Sequence, residues 1–220
     1  MTRTAAFVGG CDRVYWSCLS RNSHPIRVGM VESSTTKNAG AQRMPQAPIN
    51  TDRFKLICAT PELLKLELSD PKRFAKAIES KIPPGWPPGE YDADASRYFV
   101  EQMSKHGERV SGWLIYYVVT AAEPATPREL VAAIGYFGPP DPHGVVEIGF
   151  SVVPTWRGRG VATEGVRALI DRALRHSKVR QIVARTKPEN APSISVLKKS
   201  GFREIKSAEK NLLRFEYAGC

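Results

Sequence analysis

The feature that most constrains this chain is a hydrophobic run that leads through a glycine-rich turn into an amphipathic segment. Residues Val145 to Val153 are rich in β-branched and aromatic side chains, which predicts a strand. Apolar residues recur at helical spacing from Gly158 to His176. Glycine at 158 and 160 lets the backbone turn sharply between the two and approach another group closely. A strand, a glycine turn and a helix therefore follow one another in this order.

Length and composition predict one folded domain with an extension. The chain has 220 residues, 42% of them hydrophobic, which is enough for one sizeable core. Residues 1–51 lack sustained apolar periodicity, and they contain six basic residues against two acidic ones. They are also rich in Ser, Thr, Asn, Gly and Pro. We therefore predict a disordered N-terminal extension over residues 1–51 and a domain over residues 52–217.

A formal net charge of +10 points to an anionic partner, which nucleic acid, a membrane surface or a charged small molecule would each provide. No recognisable reading helix, aromatic RNA platform or zinc spacing supports nucleic acid. The apolar stretch from Ala5 to Leu19 is interrupted by Asp12 and Arg13, which argues against a membrane span or a signal peptide. The charge is compatible with recognition of a phosphorylated small molecule, but charge alone does not choose among these partners.

The cysteines lack the paired spacing of a zinc site, and the chain is too long to need a disulfide scaffold. Free thiols in a reducing compartment follow, so we expect a cytoplasmic protein without a metal. The four residues are Cys11, Cys18, Cys58 and Cys220.

Strands and helices are predicted from Arg53 onward. Prolines make loops of residues 83–91 and 138–144, and the second loop joins an antiparallel hairpin. Helices are predicted to begin at Pro61 and Pro71, after the caps Thr60 and Asp70, with Leu63, Leu64, Leu66 and Leu68 on the buried side of the first. The other predicted elements are helices over 92–105, 158–176 and 191–200, and strands over 53–58, 113–120, 130–137, 145–153, 181–186, 202–206 and 212–217.

The glycine turn is suited to binding an anion. Backbone N–H groups converge at a helix start, and Arg157 and Arg159 add positive charge. The run is not Gly-x-x-x-x-Gly-Lys-Ser/Thr, and it lacks the third glycine of a dinucleotide fingerprint. The two familiar nucleotide-binding motifs are therefore excluded.

The same turn resembles a motif of the GNAT superfamily of N-acetyltransferases. Arg157, Gly160 and Ala162 fit the pattern Arg/Gln-x-x-Gly-x-Gly/Ala. The preceding Glu-Ile-Gly strand and the downstream Asn-x-x-Ser helix that ends in Gly-Phe are also similar to this family, over roughly residues 145–203. Within it, they most resemble the branch that includes the ribosomal-protein N-terminal acetyltransferases.

The resemblance implies an α/β fold with a mixed, mostly antiparallel twisted sheet flanked by helices, and an acyl-CoA cleft between splayed central strands. It implies that the backbone of Phe150, Ser151 and Val152 pairs with the pantetheine arm of acetyl-CoA, which Asn190 also contacts. An acceptor amine would then attack the thioester directly, without an acyl-enzyme. The pyrophosphate would rest on Arg157, Gly158, Arg159, Gly160, Val161 and Ala162.

Direct transfer needs a proton acceptor for the amine and a donor for the departing thiolate. Glu147, the one acid in the strand before the loop, is the first candidate base, although strand alternation also allows it to face solvent. His143 is the second candidate, or a solvated turn histidine. Many members of the family have a tyrosine acid where this chain has Leu197, so Ser193 or water would donate instead, unless Ser193 is only a capping residue.

Several matters stay open at this stage. Trp86 and Tyr91 either line the acceptor site or, in the case of Trp86, cover the edge of the core. The missing tyrosine leaves an acyl-CoA-binding sensor as an alternative function, and the charge leaves a ribosome-associated or nucleic-acid-associated protein as another. A homodimer is compatible with the sequence. The acceptor is a primary amine of a small molecule, a peptide or a protein N-terminus.

Overall fold

The computed structural model describes residues 47–219, which form a sheet with helices on both faces. Two short 3-10 turns lie at Gly107–Val110 and Pro154–Trp156. The strands are β1 (Ile49–Asn50), β2 (Phe54–Cys58), β3 (Ile115–Thr120), β4 (Leu130–Tyr136), β5 (Val145–Val152), β6 (Gln181–Thr186), β7 (Phe202–Ile205) and β8 (Leu213–Tyr217). The helices are α1 (Pro61–Ser69), α2 (Pro71–Ala77), α3 (Ala93–His106), α4 (Val161–Leu174) and α5 (Ala191–Lys199).

The strands form one sheet in the order β1-β2-β3-β4-β5-β6-β8-β7. Every neighbouring pair is antiparallel except β5 and β6, which are parallel. A parallel pair needs a crossover, and α4 supplies it between β5 and β6. The predicted mixed, mostly antiparallel sheet is therefore confirmed.

Each face of the sheet carries its own core, because successive strand residues point to opposite faces. Tyr116 and Val118 pack with Val166 and Leu169 of α4, in a core that also includes Leu197 of α5. On the opposite face, Tyr117 and Val119 pack against residues of α1, α2 and α3. Burying a large apolar side chain in either core contributes about 1.5–3 kcal/mol.

Local capping explains where the helices begin. The Thr60 hydroxyl and the Asp70 carboxylate accept hydrogen bonds from the amides of Leu63 and Arg73, which confirms both predicted caps. The prediction for the buried side of α1 is wrong at one position, since Leu68 is 41% exposed. Leu64 is fully buried, and Glu67, one turn further along, points the same way.

Two predicted boundaries differ from those in the structure. Ile49 and Asn50 pair with Leu56 and Lys55, so strand pairing begins before residue 52, within the span predicted to be the extension. The disorder predicted for residues 1–46 lies outside the described residues. The helix predicted from Gly158 begins at Val161, because Gly160 adopts a left-handed conformation, with φ of 80°, that ends the turn first.

Candidate active site

The glycine turn joins the end of β5 to the start of α4. Gly158 and Gly160 have φ values of 75° and 80°, which a residue with a side chain rarely adopts. The N–H of Glu164 bonds to the carbonyl of Gly160 at 3.0 Å, in the first turn of α4. The amides that precede Glu164 in this first turn have no acceptor within the helix, so they are donors for a bound anion.

The segment just before β2 holds this turn in place. The Arg53 guanidinium donates to both the Glu164 carboxylate and the carbonyl of Arg159, at 2.8 and 3.0 Å. The Thr51 hydroxyl donates to the same carboxylate at 2.6 Å. Burial alone would raise the pKa of Glu164, but these hydrogen bonds outweigh burial and lower it. The resulting anchor involves residues that lie more than a hundred positions apart in the chain.

The two arginines of the turn are exposed and take different directions. Arg157 Nε donates to the carbonyl of Val152 at 3.1 Å, and its guanidinium lies next to Gly89 of the proline-rich loop. The Arg159 guanidinium stacks over the Trp156 ring, 5.1 Å from its centroid. Both charges therefore stay close to the turn, and Arg157 also ties it to residues 83–91.

A cleft opens where β5 and β6 diverge. The two strands pair only from Val145 to Glu147, opposite Gln181 to Val183, after which β6 continues beside β8. The predicted splay between the central strands is present. Its open end lies at the carboxyl ends of both strands, where α4 and α5 also begin.

Alternation of the backbone decides which groups of β5 face this cleft. The Glu147 carbonyl accepts from Phe137, and the Val153 amide donates to Val131, both toward β4. Phe150 and Val152 therefore direct their backbone groups to the open edge. Ser151, predicted with them, differs because its backbone faces β4, while its hydroxyl donates to the Pro88 carbonyl at 2.7 Å. The expectation that Ser151 pairs through its backbone is therefore wrong.

Residues at the start of α5 line the other side of the open end. The Asn190 side-chain oxygen caps α5 by accepting from the amide of Ser193 at 3.1 Å. The Asn190 NH₂ group can still donate elsewhere. Ser193 is half-buried in the first turn, and Leu197, one turn further on, is 1% exposed in the core. The side chain at position 197 therefore belongs to the core.

Glu147 lies at the vertex of the cleft in an ion pair. Arg185 donates to both of its oxygens at 2.8 Å, and Arg185 also contacts Glu209. Because Arg185 follows the last paired residue of β6, this contact spans the point where the strands separate. The Glu147 side chain is 17% exposed, so it is neither fully solvated nor buried. A carboxylate offers about four lone-pair positions, so Glu147 keeps acceptor capacity beyond its two bonds to Arg185.

The proline-rich loop is anchored to a carboxylate that the sequence analysis missed. Trp86 Nε1, Tyr91 OH and Tyr117 OH donate to Glu67 at 2.9, 2.7 and 2.6 Å. Burial raises the pKa of Glu67, although these hydrogen bonds oppose the rise. Tyr91 is completely buried, so the expectation that it lines an acceptor site is wrong, whereas Trp86 is half-buried.

Some predicted features lie away from the cleft. His143 is exposed in the hairpin turn before β5, at the opposite end of that strand from the glycine turn.

Across residues 47–219, no three or more histidine, cysteine, aspartate or glutamate side chains are grouped to hold a metal ion. No helix of the same segment combines the length and the apolar character needed to cross a bilayer.

Three residues that organise the site were missed by reasoning from the sequence. Arg53, Glu67 and Arg185 each act on a partner far away in the chain, and sequence spacing does not fix such contacts. Glu67 had a weak signal, since it is an acid next to the apolar positions of α1.

A cleft between diverging strands, with a glycine turn at its mouth, defines a class of acyl-group transferases, and comparison with known proteins gives the family. The model of the acetyltransferase (GNAT) domain matches residues 61–203. The chain belongs to this GNAT family and is an acetyltransferase.

Relatives and solved structures are similar over most of the domain. YjdG of Bacillus subtilis (strain 168), named as an uncharacterized N-acetyltransferase, is 29% identical over 162 residues, which cover 73% of this chain and 93% of YjdG. A putative ribosomal-protein-serine acetyltransferase from Vibrio cholerae superposes with a TM-score of 0.52 at 17% identity, covering 79% of this chain and 98% of that one. The microcin C7 self-immunity acetyltransferase MccE, in complex with acetyl-CoA and AMP, superposes with a TM-score of 0.50 at 16% identity. This superposition covers 76% of this chain and 92% of the MccE chain. The two structures show a shared fold.

Proposed function

We propose that this protein is an acetyl-CoA-dependent N-acetyltransferase that transfers the acetyl group directly to an amine. The observation that carries the proposal is the cleft between β5 and β6, with the first-turn amides of α4 at its mouth. Fold neighbours with coenzyme A or acetyl-CoA in their complexes support the cofactor. The acceptor amine belongs to a small molecule, a peptide or a protein N-terminus.

The residues present fit acetyl-CoA. Its diphosphate suits the amides of Gly158 to Ala162 together with the charge of Arg159, since amides at a helix start bind anions well. Its pantetheine arm carries amides that suit the open backbone edge at Phe150 and Val152. The NH₂ group of Asn190 supplies a further donor on the opposite side. Acetyl-CoA provides an activated thioester, and the protein binds and orients it.

The transfer forms one bond and breaks another. The amine nitrogen bonds to the thioester carbonyl carbon, the carbon–sulfur bond breaks, and the nitrogen loses a proton while the thiolate gains one. Glu147 accepts the proton from the amine, directly or through a water molecule, with the lone pairs that Arg185 leaves available. Ser193 or water protonates the thiolate, because Leu197 cannot.

A second function is favoured by one observation. The position where many related enzymes have a tyrosine acid is occupied by Leu197, which is buried in the core. An acyl-CoA sensor of the same fold would need no acid. It would bind acetyl-CoA and transfer nothing.

The experiment that separates these functions is thiol release from acetyl-CoA over a panel of amines, antibiotics and peptides, corrected for hydrolysis. Amine-dependent release, with the acetylated product seen by mass spectrometry, is the result expected for the transferase. Tight acetyl-CoA binding without release for any acceptor would favour the sensor.

A further inference from the structure

A cavity of about 560 Å³ lies on the same face of the sheet as Glu147 and outside the cleft described above. It is enclosed by the C-terminal end of α3, the hairpin turn at residues 138–144 and the segment that leads into β6. Its floor is apolar, since Val110, Leu114 and Phe137 are all buried. Volume and lining are those of a site for a small organic molecule.

The wall of this cavity is held in place by the backbone. The Gly144 carbonyl accepts from the amides of Arg180 and Gln181, at 2.8 and 3.2 Å. A Cβ at position 144 would lie 2.5 Å from the carbonyl oxygen of Lys178, so glycine is required for this close approach. Asp141 accepts from the amides of His143 and Val145, at 2.8 and 2.9 Å, which fixes the turn. The cavity is therefore preformed.

Cationic side chains surround the apolar floor. Arg109, Lys178 and Arg180 all line the cavity, and Asp141 is the single acid among the lining residues of the described chain. Within residues 47–219, none of these three cations has an acid at ion-pair distance. Unpaired cations beside an apolar surface attract a molecule that has both an apolar body and an anionic group.

The cavity begins close to the candidate base. The amide of Phe137, on the floor, donates to the carbonyl of Glu147 at 3.0 Å. Gln102, which also lines the cavity, lies one helical turn from Tyr98. The pKa of Tyr98 is raised, first by burial and then by the charge of Glu147, so Tyr98 lies within electrostatic range of the candidate base. From Gly144 to Glu147 the strand covers roughly 10 Å.

We propose that this cavity is the acceptor pocket, and that the acceptor is an amine carrying a carboxylate or phosphate group about 10 Å from its nitrogen. Lys178, Arg109 and Arg180 bind the anionic group, the floor binds the apolar part, and the nitrogen reaches Glu147. This inference rests on the proposed N-acetyltransferase function and adds the chemical class of its substrate.

The first test is a binding measurement that does not depend on catalysis. The probe is 8-anilinonaphthalene-1-sulfonate, an apolar anion whose fluorescence increases in such a pocket. We expect binding to one site on the wild type, and a roughly tenfold weaker affinity, ~1.4 kcal/mol, in Lys178→Glu and in Arg109→Glu, which lie on different walls. Lys198→Glu, at an exposed lysine of α5, is the matched control and leaves the affinity unchanged. Equal affinity in all four proteins would overturn the proposal.

The second test uses pairs of acceptors that differ only in an anionic group, such as octylamine and 8-aminooctanoate, in the thiol-release assay. We expect the carboxylate member to have a kcat/KM at least ~10-fold higher, and Lys178→Glu to abolish this preference. Turnover without a preference for anionic amines would overturn this inference and leave the proposed function intact. Probe binding as expected, with no transfer to any amine, would instead contradict the proposed function.

Discussion

Arg53 and Glu164 form an ion pair, with 2.7 Å between Arg53 Nη2 and Glu164 Oε2, that joins the residue before β2 to the first turn of α4. The same guanidinium donates to the carbonyl of Arg159, inside the glycine turn. Because that carbonyl is held toward Arg53, the amides on the other side of the turn are free to face a ligand. The pair therefore lets Arg53, which is more than a hundred residues from the glycine turn in sequence, position that turn.

Replacing Arg53 with alanine is expected to weaken coenzyme A binding. The turn loses the contact that orients it, so we expect the Kd from calorimetry to rise about three- to tenfold, ~0.7–1.4 kcal/mol. Stability should change little, since the ion pair is half exposed. Arg97→Ala is the control, because it removes an exposed ion pair with Asp94 on α3, away from the turn. A Kd that stays the same in both variants would show that Arg53 does not position the turn.

A methyl group at Gly158 tests the turn itself. No protein atom lies within 4 Å of a Cβ built at Gly158 or at Gly107, and both glycines have positive φ. Alanine at either position should therefore cost about 1–2 kcal/mol of stability through backbone strain. Only Gly158→Ala should also raise the Kd for coenzyme A. We expect at least a tenfold increase, which corresponds to about 1.4 kcal/mol of binding free energy. Equal affinities for coenzyme A in the two variants would show that Gly158 is not needed for coenzyme A binding.

Glu147→Gln tests the base. The amide keeps the size of the side chain but cannot accept the amine proton, so kcat should fall about 10²- to 10⁴-fold. The Kd for coenzyme A should stay within about a factor of two, since the diphosphate is held elsewhere. Glu204→Gln, at an exposed glutamate of β7, is the control. If the Glu147→Gln variant keeps its turnover, Glu147 has no part in proton transfer and the ion pair with Arg185 only supports the strands.

The buried Glu67 carboxyl should make stability depend on pH. Burial raises its pKa, so the folded protein holds this proton more tightly than the unfolded chain does. This tighter proton binding stabilises the folded protein fully at pH values below the ordinary glutamate pKa of about 4.3. The stabilisation is lost as the pH rises through the raised pKa of Glu67 in the folded protein. Glu67→Gln has no such proton to lose.

The measurement for Glu67 is urea unfolding of the wild type and of Glu67→Gln across this pH range. We expect the free energy of unfolding of the wild type, relative to the variant, to decrease as the pH rises. A difference that does not change with pH would mean that the hydrogen bonds from Tyr117, Tyr91 and Trp86 cancel the effect of burial.

Local patterns in the sequence were sufficient to predict the helices, the strands and the glycine turn. Each of these patterns acts over only a few residues, so a short stretch of sequence is enough to recognise it. They are the alternation in β5, the caps at Thr60 and Asp70, and the glycines at 158 and 160. Glu147 was also found this way, as an acid within an apolar strand.

Contacts set by sheet register could not be found in the same manner. Arg185 reaches Glu147 because β6 lies parallel to β5 and diverges after three pairs, and no spacing in the sequence encodes that register. Ser151 was assigned to the cofactor edge because the sequence does not say which strand edge is open. Tyr91 was assigned to the acceptor site because its partner, Glu67, lies 24 residues earlier, in α1.

The amides from Gly158 to Ala162 are proposed to bind the diphosphate of coenzyme A. The most direct measurement is a titration of ¹⁵N-labelled protein with coenzyme A, followed by TROSY spectra and compared with a titration by pantetheine, which lacks the diphosphate. We expect coenzyme A, and not pantetheine, to produce large shifts of these five amides. Saturation with coenzyme A that leaves the five amides unshifted would contradict this assignment.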